Sequence, residues 1–225
     1  MLDHVTVRVG DREASRAFYE VALGRPSYDH ALLGWGDFFL AEGTPCTRRL
    51  HIAFGVHDRD EVDAWWQRLI DAGHRSDGAP GVRPQYSETY YGGFVLDPDG
   101  NSVEAVHHQR SRRAGIDHLW LRTRNIAATR AFYETIAPML GLQLMDDAPD
   151  RIRFATGGGS FTFVLGAEPT QQLHLAIAAL DLASVQAFHA AAIAAGHRDN
   201  GAPGERAHHQ PGYYSAYVLD PDRSL

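Results

Sequence analysis

From Leu2 to Val9 the chain alternates, with Val5, Val7 and Val9 on one side and His4, Thr6 and Arg8 on the other. That period of two predicts a half-buried strand. Asp11 then opens a predicted helix with Ala14, Phe18 and Val21 at helical spacing, and Gly24 ends it. Short strands are expected within residues 31–42, around Phe38-Phe39-Leu40. Leu50 to Val56 alternates again. Its apolar side is Leu50, Ile52, Phe54 and Val56; its other side is His51, Ala53 and Gly55, a histidine beside two small residues that leave room above a sheet. Asp58 and Glu61 stand in a capping-box arrangement ahead of Val62, Trp65, Leu69 and Ile70, and Gly73 closes that helix. Phe94 to Leu96, a turn at Asp97-Pro98-Asp99-Gly100, and Ser102 to His107 predict a closing hairpin.

The pattern then recurs. Residues 50–99 align without gaps to 173–222 at an offset of 123, and 23 of these 50 positions are identical. Upstream, Asp3-His4 matches Asp117-His118, and Arg16-Ala17-Phe18-Tyr19-Glu20 matches Arg130-Ala131-Phe132-Tyr133-Glu134, at an offset of 114. A nine-residue insertion is therefore expected between Glu134 and His174. A unit this long is a duplicated domain rather than a solenoid repeat. Two domains are expected, 1–108 and 115–225, each of paired βαβββ modules forming a curved, helix-flanked α+β sheet. The counterpart of Glu104 would fall two positions beyond Leu225, so the second domain is expected to lack its final strand. Close contact between the domains, and a homodimer, are expected to cover the edge this leaves.

Composition narrows the chemistry. The net charge is -7 and the one basic cluster, Arg110, Arg112 and Arg113, reads as a solvated linker, which argues against nucleic-acid binding. No apolar run approaches the ~18 residues of a membrane span, and no leader precedes the first strand. A single cysteine, Cys46, excludes an internal disulfide and makes the cytoplasm the expected compartment. Lysine is absent, which removes Schiff-base and P-loop chemistry, while thirteen histidines direct attention to metal or imidazole chemistry.

The opening Asp3-His4-Val5, the helix motif Arg16-Ala17-Phe18-Tyr19-Glu20, the strand at His51 and the ending Leu96-Asp97-Pro98-Asp99-Gly100-Asn101-Ser102-Val103-Glu104 resemble the vicinal oxygen chelate superfamily. That superfamily includes glyoxalase I, extradiol catechol dioxygenases, fosfomycin-resistance thiol transferases and bleomycin-resistance proteins. The resemblance implies a divalent metal ion (Fe2+, Mn2+ or Zn2+) held by His4, His51 and Glu104. If modules are exchanged between domains, it implies His118 in place of His4. The unexchanged set is the expected one, because the first domain holds all three ligands. Two imidazoles and a carboxylate form a facial triad with open positions for a chelating substrate. Glyoxalase I has a fourth, glutamate ligand near the end of the first module; that stretch here is Asp37-Phe38-Phe39-Leu40, with apolar residues about where the glutamate would fall.

Around this trio, Gly78-Ala79-Pro80-Gly81 reads as a loop over the cavity. Arg83 is a candidate for holding a substrate oxyanion, and Tyr90 or Tyr91 for donating a proton. Trp35, Phe38 and Phe39 read as core. His74 and His197 follow helix-ending glycines and read as cations at helix C-termini. His107 and His108 read as surface histidines. The resemblance implies an enzyme acting on a small molecule with vicinal oxygens, by ring-cleaving dioxygenation, isomerisation or lyase chemistry. The alternative is a metal-free binding protein of the bleomycin-resistance type.

Overall fold

The computed structural model describes residues 2–109, 115–207 and 211–222; the arginines at 110, 112 and 113 lie outside them. The first half runs β1 (Leu2–Val9), α1 (Arg12–Leu23), β2 (Tyr28–Asp29), β3 (Leu33–Trp35), β4 (Phe38–Glu42), β5 (His51–Gly55), α2 (Arg59–Asp71), β6 (Ser76–Val82), β7 (Tyr91–Leu96) and β8 (Ser102–His107). The second continues with β9 (Ile116–Thr123), α3 (Ile126–Leu140), β10 (Gln143–Ala148), β11 (Arg151–Thr156), β12 (Gly159–Leu165), β13 (Leu173–Ile177), α4 (Leu182–Ala194), β14 (Arg198–Glu205) and β15 (Tyr214–Leu219). No described helix is long and apolar enough to cross a membrane.

Local chemistry sets the helix ends. The Asp11 carboxylate accepts from the Glu13 and Ala14 amides at 2.9 Å, and the Asp58 carboxylate from the Glu61 amide at 2.8 Å. Glu61 reaches back to the His57 amide at 2.8 Å, one residue before the cap, so the expected box is present with a shifted partner. Phe18 and Tyr19 of α1 and Val62, Trp65 and Leu69 of α2 are buried. Of His74 and His197, both read as helix-terminal cations, the structure corrects His74. Each ring packs edge-on against a helix phenylalanine, Phe18 and Phe132, at 4.8 Å between centroids. Burial lowers the His74 pKa, which favours the neutral ring.

Strand pairing crosses the halves. One sheet has the order β13-β1-β4-β3-β2 and another β10-β11-β12-β9-β5-β8-β7-β6. β1 therefore lies antiparallel to β13, and β5 antiparallel to β9, so each of these sheets takes strands from both repeats. A reciprocal clasp fastens the crossing. Thr47 Oγ1 accepts from the Arg8 amide (3.0 Å) and donates to the Gln172 carbonyl (2.5 Å). Thr170 Oγ1 accepts from the Arg122 amide (2.9 Å) and donates to the Arg49 carbonyl (2.7 Å). Both threonines are buried, and the carbonyl acceptors Arg49 and Gln172 both have positive φ, 62° and 59°. The two clasps are copies of each other at the repeat offsets.

Three further features bear on the site. Residues 78–81, read as a loop, fall within the edge strand β6 (Ser76–Val82), which pairs with β7 with register breaks on both sides of Gly78 (φ 159°). Pro80 is tolerated there because an edge strand need not donate every amide. The insertion lies ahead of β12: β12 pairs with β9 as β4 pairs with β1, with Phe39 opposite Thr6 and Thr162 opposite Trp120. The extra residues lengthen α3 and the β10–β11 hairpin. Finally, β8 stands between β5 and β7, whereas the described residues place no strand between β13 and the separate β14–β15 pair. A cavity of about 200 Å³ opens there, walled by Phe132, Tyr133, Leu175 and Phe188.

Candidate metal centre

Strand alternation brings three ligand-type side chains to one point. Ala53 is opposite Glu104 on β8 and opposite His118 on β9, and His51 lies two residues along the same face of β5. The small side chain at 53 leaves the room that the two imidazoles and the carboxylate fill. The ligand atoms of His51, Glu104 and His118 lie within 4.8 Å of one another. Glu104 Oε2 is 3.0 Å from His51 Nε2 and 3.6 Å from His118 Nε2, and the Glu104 side chain is fully buried. A buried carboxylate facing two imidazole nitrogens suits a divalent ion, since two neutral nitrogens and one anionic oxygen satisfy its preference for mixed ligands.

Behind these atoms stands a second layer. The Tyr90 hydroxyl donates to both Glu104 oxygens, at 2.8 and 2.9 Å. Burial and the Glu104 charge push the Tyr90 phenol far above its ordinary pKa. Asp117 Oδ1 lies 3.0 Å from His118 Nδ1 and 3.1 Å from His108 Nε2. Burial acts to raise the Asp117 pKa, but the hydrogen bonds to His108 and His118 outweigh it and hold the carboxyl well below the usual range. His51 Nδ1 contacts Ser102 Oγ at 3.2 Å.

The trio opens into a cavity of about 1180 Å³ that runs across the concave face to β11 and β12. Trp120, Tyr86 and Phe94 give it aromatic walls. Arg83 lines its rim, donating to the Ala79 carbonyl at 2.7 Å, with its guanidinium 5.3 Å from the Phe94 ring centre. Thr162, the counterpart of Phe39, also lines the cavity and offers a hydroxyl instead of a carboxylate.

Two expected site residues lie elsewhere. His4 is on β1, which pairs with β13, and its ring stands 5.2 Å from His174 and outside the trio. The grouping found is the exchanged one, with His118 in the place for which His4 was preferred. Tyr91 points to the opposite face from Gly92: its hydroxyl donates to Asp63 on α2 at 2.8 Å, away from the cavity. Two residues were overlooked, His108 and Asp117. His108 is no stray surface histidine, since it binds Asp117 and stacks on Tyr90 at 5.6 Å and 12°. The recurrence of Asp-His at 3–4 and 117–118 was the available signal.

Gly92 completes the pocket, because a Cβ added there would collide with Glu104 Oε1. Gly92→Ala is expected to eject the carboxylate from its place. We predict metal retention lost in titration and stability reduced by about 1–3 kcal/mol in urea unfolding. Unchanged metal binding would mean that Glu104 is not held there. The equivalent position in the second repeat is Ser215.

Residues 1–105 match the sequence model of the Glyoxalase/Bleomycin resistance protein/Dioxygenase superfamily. No curated protein sequence matches the chain. Glyoxalase I from Zea mays superposes over 100% of this chain and 90% of its own, with a TM-score of 0.69 at 21% identity. A Bacillus subtilis structure provisionally described as a dioxygenase does so over 100% and 83%, with a TM-score of 0.67 at 14% identity. The match to the Glyoxalase/Bleomycin resistance protein/Dioxygenase superfamily model thus covers the first repeat, and the chain as a whole shares the fold of these solved structures.

Proposed function

We propose that the chain is a metal-dependent enzyme acting on a small molecule with two adjacent oxygens, its divalent ion (Fe2+, Mn2+ or Zn2+) held by His51, Glu104 and His118. The convergence of these three side chains, one of them fully buried, on the floor of a large cavity carries the reading. When bound, the ion supplies Lewis acidity toward a bidentate oxyanion or enolate. Three ligands leave open positions for both substrate oxygens, and Thr162 adds no fourth carboxylate. This favours ring-cleaving dioxygenase, isomerase or lyase chemistry over the four-ligand arrangement of glyoxalase I.

The chain's own residues bind and orient. Trp120, Tyr86 and Phe94 offer apolar walls to a planar substrate, and Arg83 offers a cation to an anionic substituent. The Tyr90 hydroxyl is committed to Glu104, which argues against its use as a proton donor to substrate.

The test is direct. Protein loaded with Fe(II), Mn(II) or Zn(II) and freed of excess ion is expected to retain one ion per chain by elemental analysis. The iron form is then assayed for oxygen uptake with catechols. Retention of no ion would sink the enzyme reading in favour of a metal-free binder of the bleomycin-resistance type.

A further inference from the structure

We infer that Tyr90, His108 and Asp117 form a brace that fixes the orientation of two ligands, Glu104 and His118, across the junction between the two repeats. The inference rests on the metal-site reading above.

The contacts close on themselves. Tyr90 donates to both oxygens of Glu104, and the Tyr90 ring stacks on His108. His108 and His118 share the Asp117 carboxylate, and His118 Nε2 faces Glu104 Oε2 at 3.6 Å. The members come from the approach to β7, the end of β8 and the start of β9, so the circuit joins the last strand of one repeat to the first of the next.

Each contact has a defined consequence. An ionised carboxylate only accepts, so Asp117 requires a hydrogen on His118 Nδ1 and leaves the Nε2 lone pair aimed at the trio. The same argument places a hydrogen on His108 Nε2. A carboxylate has about four lone-pair sites. The single Tyr90 hydrogen is shared by both oxygens of Glu104, so the hydroxyl lies where an ion bridging both would sit, and Oε2, the oxygen facing both imidazoles, keeps a lone pair for an ion. Tyr90 thereby selects one-oxygen ligation. Tyr90, Ala53 and Val106 also form a small buried apolar cluster on the concave face, which holds the ring still.

Tyr90→Phe keeps the ring and its stacking, and Asp117→Asn keeps the shape of the carboxylate. Both are measured as the full chain, by competition titration with Zn(II) and by the visible spectrum of the Co(II) form. Outer hydrogen bonds of this kind contribute about 10–100-fold to metal affinity. Both variants are expected to lose about that much, with a changed Co(II) spectrum at temperatures where the wild type and variants are equally folded. Variants that bind Zn(II) within twofold of wild type, with an unchanged spectrum, would overturn the brace while leaving the metal site standing. A wild type that binds neither ion would overturn both. If Asp117→Asn does not fold, Tyr90→Phe decides alone, because it removes a single hydroxyl.

Discussion

His118→Ala is expected to abolish metal retention, whereas His4→Ala leaves it unchanged. Loss of a direct ligand should weaken affinity by more than the roughly 10–100-fold that an outer hydrogen bond contributes, because no remaining side chain replaces the imidazole. His51→Ala should behave like His118→Ala, and His174→Ala like His4→Ala. Elemental analysis of the four variants after metal loading reads this directly. Retention in His118→Ala with loss in His4→Ala would show that the working site pairs modules within one repeat. Affinity should also fall on acidification, since protons compete with the ion for its ligands.

The second large effect concerns the isolated first repeat, residues 1–108, which should form a dimer. In the full chain β5 is completed by β9 and β1 by β13, strands of the other repeat. Removing the second repeat strips both partners at once and leaves two strand edges that cannot close on each other without rearranging the clasps. Two copies of the fragment satisfy both edges, with β1 of each taking the place of β9 against β5 of the other. Asp3 already binds His4 at 2.7 Å much as Asp117 binds His118. His4, absent from the site in the full chain, would then supply the third ligand. Sedimentation should give twice the fragment mass and a melting temperature that rises with concentration. In the fragment, unlike the full chain, His4→Ala should abolish metal retention. A folded monomer would show that modules can pair within one repeat after all.

Several features were legible in the amino acids because they depend on neighbours in sequence. The alternation of Val5, Val7 and Val9 marked β1, and these side chains are essentially fully buried. Asp11 and Asp58 marked helix starts, and the Asp-Pro-Asp-Gly turn marked the β7–β8 hairpin. There the Asp97 carboxylate accepts from the Asn101 amide at 2.8 Å and from the Tyr19 hydroxyl at 3.2 Å. The duplicated register and the candidacy of His51 and Glu104 were equally visible. β6 was not, because glycines and a proline carry no strand signal and its strand form comes from pairing with β7. His108 was passed over because its partner Asp117 lies nine residues on, across the repeat junction, and no local pattern ties them.

The amino acids alone thus determined the modules, their repeat and the residue types of the candidate site, since each follows from periodicity, capping or residue type along one short stretch. Only the tertiary structure decided which histidine completes the trio. β1 and β9 are copies, with Val5 matching Leu119 and Val7 matching Leu121, so either presents the same apolar face and the same Asp-His pair to β5. Both carry the alternation and the Asp-His pair, so no local pattern names the partner of β5. The choice falls to long-range contacts, the Thr47 and Thr170 clasps. Both depend on where the chain travels between modules.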